Sequence, residues 1–390
     1  MSFVQLRLGL AWISLTAAVA VPGTAAAQAP PDSSLIEIAA VRARLVAARN
    51  ERPVATARPQ RADPALTRYL AGIAQLGTHQ FDSAQVPLRA AVTASPNNAR
   101  YHGDLAFALA GAGRMNEAAD EYVAAARLQP ANPWYDVGLA AVRAKQTLWP
   151  QAKAGYDAAV RADSSIIDRR LVTAVSDCLD EGGFVPELTA WSRMASVRFP
   201  DEPMPWLRLA TLLRHSDSAE GLAAVRRYRV LAPNELLGAA LYANYLLGLG
   251  EDDSALVLAG QSAADTALWP YAWPVYLQIG GRLFQARAYT QASQVLARGR
   301  VLAPATRRVQ FSLFLGYTNV QRLGPMYADA AQHKDCAKAH AVDSLEVSVR
   351  RDLEEGMAAG DSARISQITT TLLPQARTRI HELLAQCPKP

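Results

Sequence analysis

The side chains able to do chemistry are few, and most of them gather toward the C-terminus. His333, Cys336 and His340 stand at i, i+3 and i+7, which on a continuous helix puts two imidazoles and a thiolate on one face, a ligand set for zinc or copper. The competing use of Cys336 is a disulfide with Cys387, because these two of the three cysteines share the terminal segment. A bridge consumes the thiolate and leaves two solvated histidines with no clear fourth ligand, so the disulfide is expected and the metal is not. Cys178 falls inside a helical pattern and reads as a small buried side chain, with a reactive thiol as the alternative. His381 and Glu382 begin a zinc-protease-like pattern but lack its second histidine, and no nucleophile elbow, phosphate loop or dinucleotide fingerprint occurs. The acid pairs Asp180 with Glu181 and Glu354 with Glu355, and the run Glu251 to Asp253, read as solvated helix ends. No catalytic residue and no cofactor is expected.

The N-terminus sets the compartment in which such cysteines live. Arg7 precedes an apolar stretch from Leu8 to Val21, and Ala25, Ala26 and Ala27 supply the small-residue pattern of a signal-peptidase site. Residues 1–27 are therefore expected to be an export signal cleaved after Ala27, giving a periplasmic or secreted chain. The apolar stretch is short for a bilayer span and is followed by Pro22 and Gly23, so no membrane insertion of the mature chain is expected. The net charge of +5 is mild for 390 residues, and the arginines scatter without forming a basic block, which argues against nucleic acid.

These residues sit on a repeating frame. Ala84, Ala118 and Ala152 recur every 34 residues, each in the same local pattern. Twelve residues before them stand Gly72, Ala106 and Ala140; four after, Leu88, Tyr122 and Tyr156; seven after, Ala91, Ala125 and Ala159. Pro96 and Pro130 close the first two units, and Ser164 stands where the third loses its proline. The register continues more loosely through Leu188 and Ala195 before Pro200, Gly221 before Pro233, Ala243 with Ala255, and Gly280 with Ala292 before Pro304. Small residues at a crossing let two helices approach closely, and each hairpin leaves an apolar face that only its neighbour can cover. Asp82, Asn116 and Asp253 are expected to cap the second helices, and Gly113, Gly183 and Gly250 to turn the hairpins.

In this register the chain resembles the tetratricopeptide repeat family, in its exported bacterial type. The resemblance implies an all-α fold, a right-handed superhelical solenoid of about seven helical hairpins over 65–304 with a C-terminal helical cap over 305–390. Residues 28–64 carry a helix with Leu35, Ile38, Val41 and Leu45, either a partner-binding arm or a loosely attached leader, and then an Arg, Pro and Ala-rich linker. The cap is expected to hold helices at Phe311–Val320, 337–357 and 362–385.

The family lines a concave groove with its first helices. At the matching offsets stand Tyr69, Arg100, Phe107, Trp134, Lys145, Trp206, Arg214, Asn244 and Phe284, each with a second use as a packing residue. The family's carboxylate clamp repeats Lys and Asn, and here Asn244 stands almost alone. The expected function is a non-catalytic interaction scaffold that binds a peptide or partner protein in that groove. The alternatives are a metal- or thiol-dependent protein using the terminal His/Cys segment, or a structural subunit of an envelope complex.

Overall fold

A computed structural model describes residues 63–214, 216–360 and 362–387. The expected signal peptide, the helix carrying Leu35, Ile38, Val41 and Leu45, and the linker as far as residue 62 lie outside the described residues. The described chain is helical, without strands, and divides into two compact units between Pro205 and Trp206.

In the first unit, α1 (Pro64–Leu76) pairs with α2 (Phe81–Ala94), α3 (Ala99–Gly111) with α4 (Met115–Leu128), α5 (Pro133–Lys145) with α6 (Trp149–Ala162), and α7 (Arg169–Glu181) with α8 (Val185–Arg198). The residues of the repeating register make the crossings. Ala84, Ala106, Ala118, Ala140 and Ala152 have 0% of their surface exposed, as do Leu88, Ala91, Ala125 and Ala159. A Cβ at Gly72 would come within 2.5 Å of Leu88 Cγ, so the α1–α2 crossing has room only for a hydrogen there. Burying each large side chain of the layer, such as Leu88 or Tyr122, contributes about 1.5–3 kcal/mol, and any cavity left by truncation adds to the loss.

The first helices of this unit are capped by short acceptors that recur with the hairpins. Asp63 accepts the backbone N–H of Ala65 at 2.9 Å, and Asn98 that of Arg100 at 3.1 Å. Asn132 accepts from Trp134 N–H at 3.2 Å, and Asp168 from Leu171 N–H at 2.8 Å. Apart from the helix that begins at Ser218, where Asp217 accepts from Glu220 N–H at 3.0 Å, the second helices are entered differently from what the sequence suggests. Asp82, Asn116 and Asp253 lie inside the first turn, past the position that caps, and Asn116 instead accepts from Gln146 Nε2 at 2.7 Å. A backbone device holds the entrance: the N–H of Gln80, Arg114, Leu148, Phe184, Glu251 and Ala288 returns to a carbonyl five residues earlier, at 2.8–3.0 Å. That bond requires a left-handed residue just before it. Gly113, Gly183 and Gly250 provide one, as expected, but His79, Thr147 and Arg287 take the same conformation at φ of 58–60°. Thr147 is β-branched, the residue class least suited to it. Thr147→Gly is therefore expected to raise the unfolding free energy by about 1 kcal/mol and Gly113→Val to lower it by at least as much, both readable in urea titrations.

In the second unit, α9 (Pro203–Leu212, whose first residues precede the division) pairs with α10 (Ser218–Leu231), α11 (Leu236–Leu249) with α12 (Asp252–Ser262), and α13 (Trp269–Gln285) with α14 (Tyr289–Leu302). Gly221, where alanine is usual, is explained by Tyr245: a Cβ there would collide with its hydroxyl, which donates to Ala210 O at 2.6 Å. Burial pushes the Tyr245 phenol up to about 12, keeping it a donor. Gly280 meets Leu296 at 2.5 Å from a notional Cβ, repeating the Gly72–Leu88 crossing.

The terminal segment is a hairpin with longer arms, followed by a broken helix. α15 (Ala305–His333) runs well beyond the expected end at Val320, because Leu323 and Ala330 recur on the face turned to α16 (Cys336–Gly356). The single helix expected over 362–385 is instead α17 (Ser362–Gln367), a π turn at Ile368–Leu372, and α18 (Leu373–Leu384). Pro374 lacks an N–H and its ring crowds the preceding turn, which the wider π geometry accommodates.

Candidate functional site

The residues expected to line a groove divide into those consumed by packing and those left partly open. Phe107 is 4% exposed and meets the Phe81 ring edge-on at 5.7 Å; Phe284 is 8% exposed and meets Tyr289 at 5.6 Å. Tyr69 is also buried: it stacks on Tyr101 at 4.5 Å and donates its hydroxyl to Asp104 Oδ2 at 2.6 Å. These three are core residues that offer a ligand little surface. An aromatic at a first-helix offset satisfies either role in sequence, and only the neighbouring helix decides between them.

The rest remain at the surface to different degrees. In the first unit, Arg100 and Trp134 are half-buried and Lys145 is exposed. The Arg100 guanidinium lies over the Tyr69 ring at 5.6 Å, so the structure brings Arg100 and Tyr69 together across α1 and α3. In the second unit, Trp206 packs its inner side on the Leu209, Leu213 and Tyr245 cluster while staying half-buried. Arg214 lies near the Tyr245 and Tyr271 phenols, where its charge opposes the upward push of burial on both. Asn244 is structural: its Nδ2 donates to Ala240 O at 2.9 Å and Tyr271 O at 3.1 Å, tying α11 to the following hairpin.

The terminal His/Cys segment brings two sulfurs together and leaves the imidazoles apart from them. Cys336 and Cys387 stand at bonding distance, with Cα atoms 5.7 Å apart, placing the start of α16 against the residues after α18. His333 pairs with Asp329 at 3.0 Å, and the same carboxylate holds Lys338 at 2.7 Å. Among the described residues no three His, Cys, Asp or Glu side chains gather as a metal would require. Cys178 is buried in α7, and desolvation pushes its thiol up to about 11, away from reactivity at neutral pH. No described helix is long and apolar enough to cross a membrane.

One observation decides the architecture: the small residues of the repeating register are the buried crossing points of consecutive two-helix hairpins. The repeating unit is a two-helix hairpin. No family model matches the chain, and no curated protein does. Among solved structures, the array is similar to YrrB, described as a tetratricopeptide repeat protein with an unusual peptide-binding site, at 14% identity over 45% of this chain and 90% of that one, TM-score 0.40. It is similar to PilF of Pseudomonas aeruginosa at 16% identity over 51% and 90%, TM-score 0.40. A tetratricopeptide repeat protein of Parabacteroides merdae covers more, 73% of this chain and 98% of its own, at 10% identity and TM-score 0.42. At these scores the likeness carries no argument, and the description of the repeats rests on their own packing.

Two features of the site region are not legible in the sequence. The Tyr69–Asp104 hydrogen bond joins residues 35 apart, close to one repeat, a spacing that flags neighbouring hairpins but not which pairs bond. The stacking of Arg100 on Tyr69 has no sequence signal beyond their places on consecutive first helices.

Proposed function

We propose that this protein is a non-catalytic interaction scaffold that holds an extended segment of another protein along the face of its first helices. The observation that carries this reading is the set of large side chains that the hairpins leave half-open instead of burying: Arg100 and Trp134 in one unit, Trp206 and Arg214 in the other. Half-open Trp and Arg residues are the side chains that most often anchor a protein partner, because Trp buries much area for little lost freedom and Arg presents several donors in a fixed fork. Other surface charges serve the frame: the exposed ion pair Arg89–Glu117 links α2 to α4, and Arg169–Asp201 links α7 to the turn after α8.

The protein is proposed to act after export, in the periplasm or outside the cell, with residues 1–27 removed and Cys336 bonded to Cys387. The signal-peptide pattern and the placement of the two sulfurs support that location together, since such bonds persist in oxidising compartments. Capture from an envelope or culture-fluid fraction, followed by identification of what co-purifies, tests the reading. A specific partner is expected with the wild-type chain, and Trp134→Ala or Trp206→Ala, folded by circular dichroism, should weaken its capture about tenfold or more. Capture unaffected by both substitutions would remove the first-helix face from the function.

A further inference from the structure

The first helix of the array leaves open a face that its successors close. Counted by the 34-residue register, Thr67, Leu70, Ala71 and Ala74 of α1 match Tyr101, Asp104, Leu105 and Ala108 of α3. The α3 set is buried throughout, between 0% and 6% exposed, and Tyr135, Gly138 and Val142 of α5 are buried at the same places. On α1 all four are exposed, Leu70 at 41%. The difference follows from the second helix that precedes each first helix. α2 packs against α3, and α4 against α5, whereas among the described residues no helix precedes α1. Each hairpin of such an array needs a neighbour over its apolar side, and Leu70, Ala71 and Ala74 are the side left without one.

The chain carries a segment suited to that face. Residues 34–49, outside the described residues, place Leu35, Ile38, Val41 and Leu45 on one side of a helix, and Ser34 with Glu37 supplies its start signal. Residues 50–62 join this segment to α1. Extended, they reach up to about 43 Å, roughly twice the ~20 Å length of the 13-residue α1, so the linker lets the segment return alongside it. Ala71 and Ala74 are small enough for a helix to approach closely, as Ala106 and Ala118 allow at the crossing of the next hairpin. We propose that residues 34–49 dock as a helix on Thr67, Leu70, Ala71 and Ala74 and close the open end of the array from within the chain. The inference concerns the end of the array and stands whether or not Trp134 and Trp206 hold a partner.

Hydrogen exchange of the full chain, purified after export and read by mass spectrometry, tests it. A lone helix of this length is marginal in water, so docking is what should make the amides of 34–49 exchange about tenfold or more slowly than those of 50–62. Leu70→Asp and, on the segment, Leu45→Asp should each abolish that protection and leave exchange in α3–α6 unchanged. Leu70 stands at the surface of α1, so its substitution should keep the first hairpin folded, which unchanged protection of α2 checks. Exchange of 34–49 as fast as that of the linker would overturn the proposal. Protection that Leu70→Asp leaves intact would overturn it too, as would protection that fades on dilution, which would assign the face to a second copy of this chain.

Discussion

Phe311→Ala is expected to lower the stability of the second unit by about 3–5 kcal/mol, the loss typical of a fully buried phenylalanine. Phe311 has 0% of its surface exposed and is the first large side chain of α15 to enter the preceding hairpin. It lies edge-on to Trp273 at 6.4 Å, and Gly299 of α14 is small because this ring and Tyr276 close over it. Neighbours cannot slide into the vacated space without leaving their own layers, since Leu296 and Leu315 are already buried beside it. Chemical denaturation monitored by tryptophan fluorescence reads the loss directly. Phe311→Leu should recover more than half of it, because the cost is one of volume.

The second large effect is the loss of the terminal tie. Bonding Cys336 to Cys387 closes a loop over a sequence separation of 51, which on the chain-entropy estimate stabilises the segment by about 4 kcal/mol. Cys387→Ser, or addition of a thiol reductant, should lower the midpoint of unfolding of α16–α18. The apolar contacts of Leu373, Ile380 and Leu383 remain and keep the helix docked at low temperature. Equal stability of oxidised and reduced protein would mean that the bond is not formed in the purified chain. Breaking the tie leaves the first unit's hairpins untouched, so partner capture that depends on Trp134 should persist.

The parts of the molecule legible in sequence are those where one residue type is demanded by space. Ala84, Ala118 and Ala152 could be read because a crossing excludes anything larger, and Gly113 and Gly250 because a left-handed turn favours glycine. Where the frame over-determines a position, the signal vanishes. His79, Thr147 and Arg287 make the same turn as Gly113 with no trace in their identities, because the returning backbone hydrogen bond holds them. Caps are hard to read for a related reason: Asp82 and Asn98 both stand near the starts of helical runs, and a small shift along the chain separates a cap from a surface side chain. Phe107 and Phe284 stand at first-helix offsets yet are core, since hydrophobicity there does not say which way the neighbouring hairpin leans. The far half of α15 was unreadable because its apolar residues thin out past Val320, leaving Leu323 and Ala330 to carry the period.

The claim that the first-helix face holds the partner is tested most directly by placing a benzophenone amino acid at Trp134 or at Val197, which is 81% exposed on the second helix α8. Irradiation of the assembled complex should join the partner to position 134 and leave position 197 unlinked. Crosslinks from position 197 with none from position 134 would contradict it.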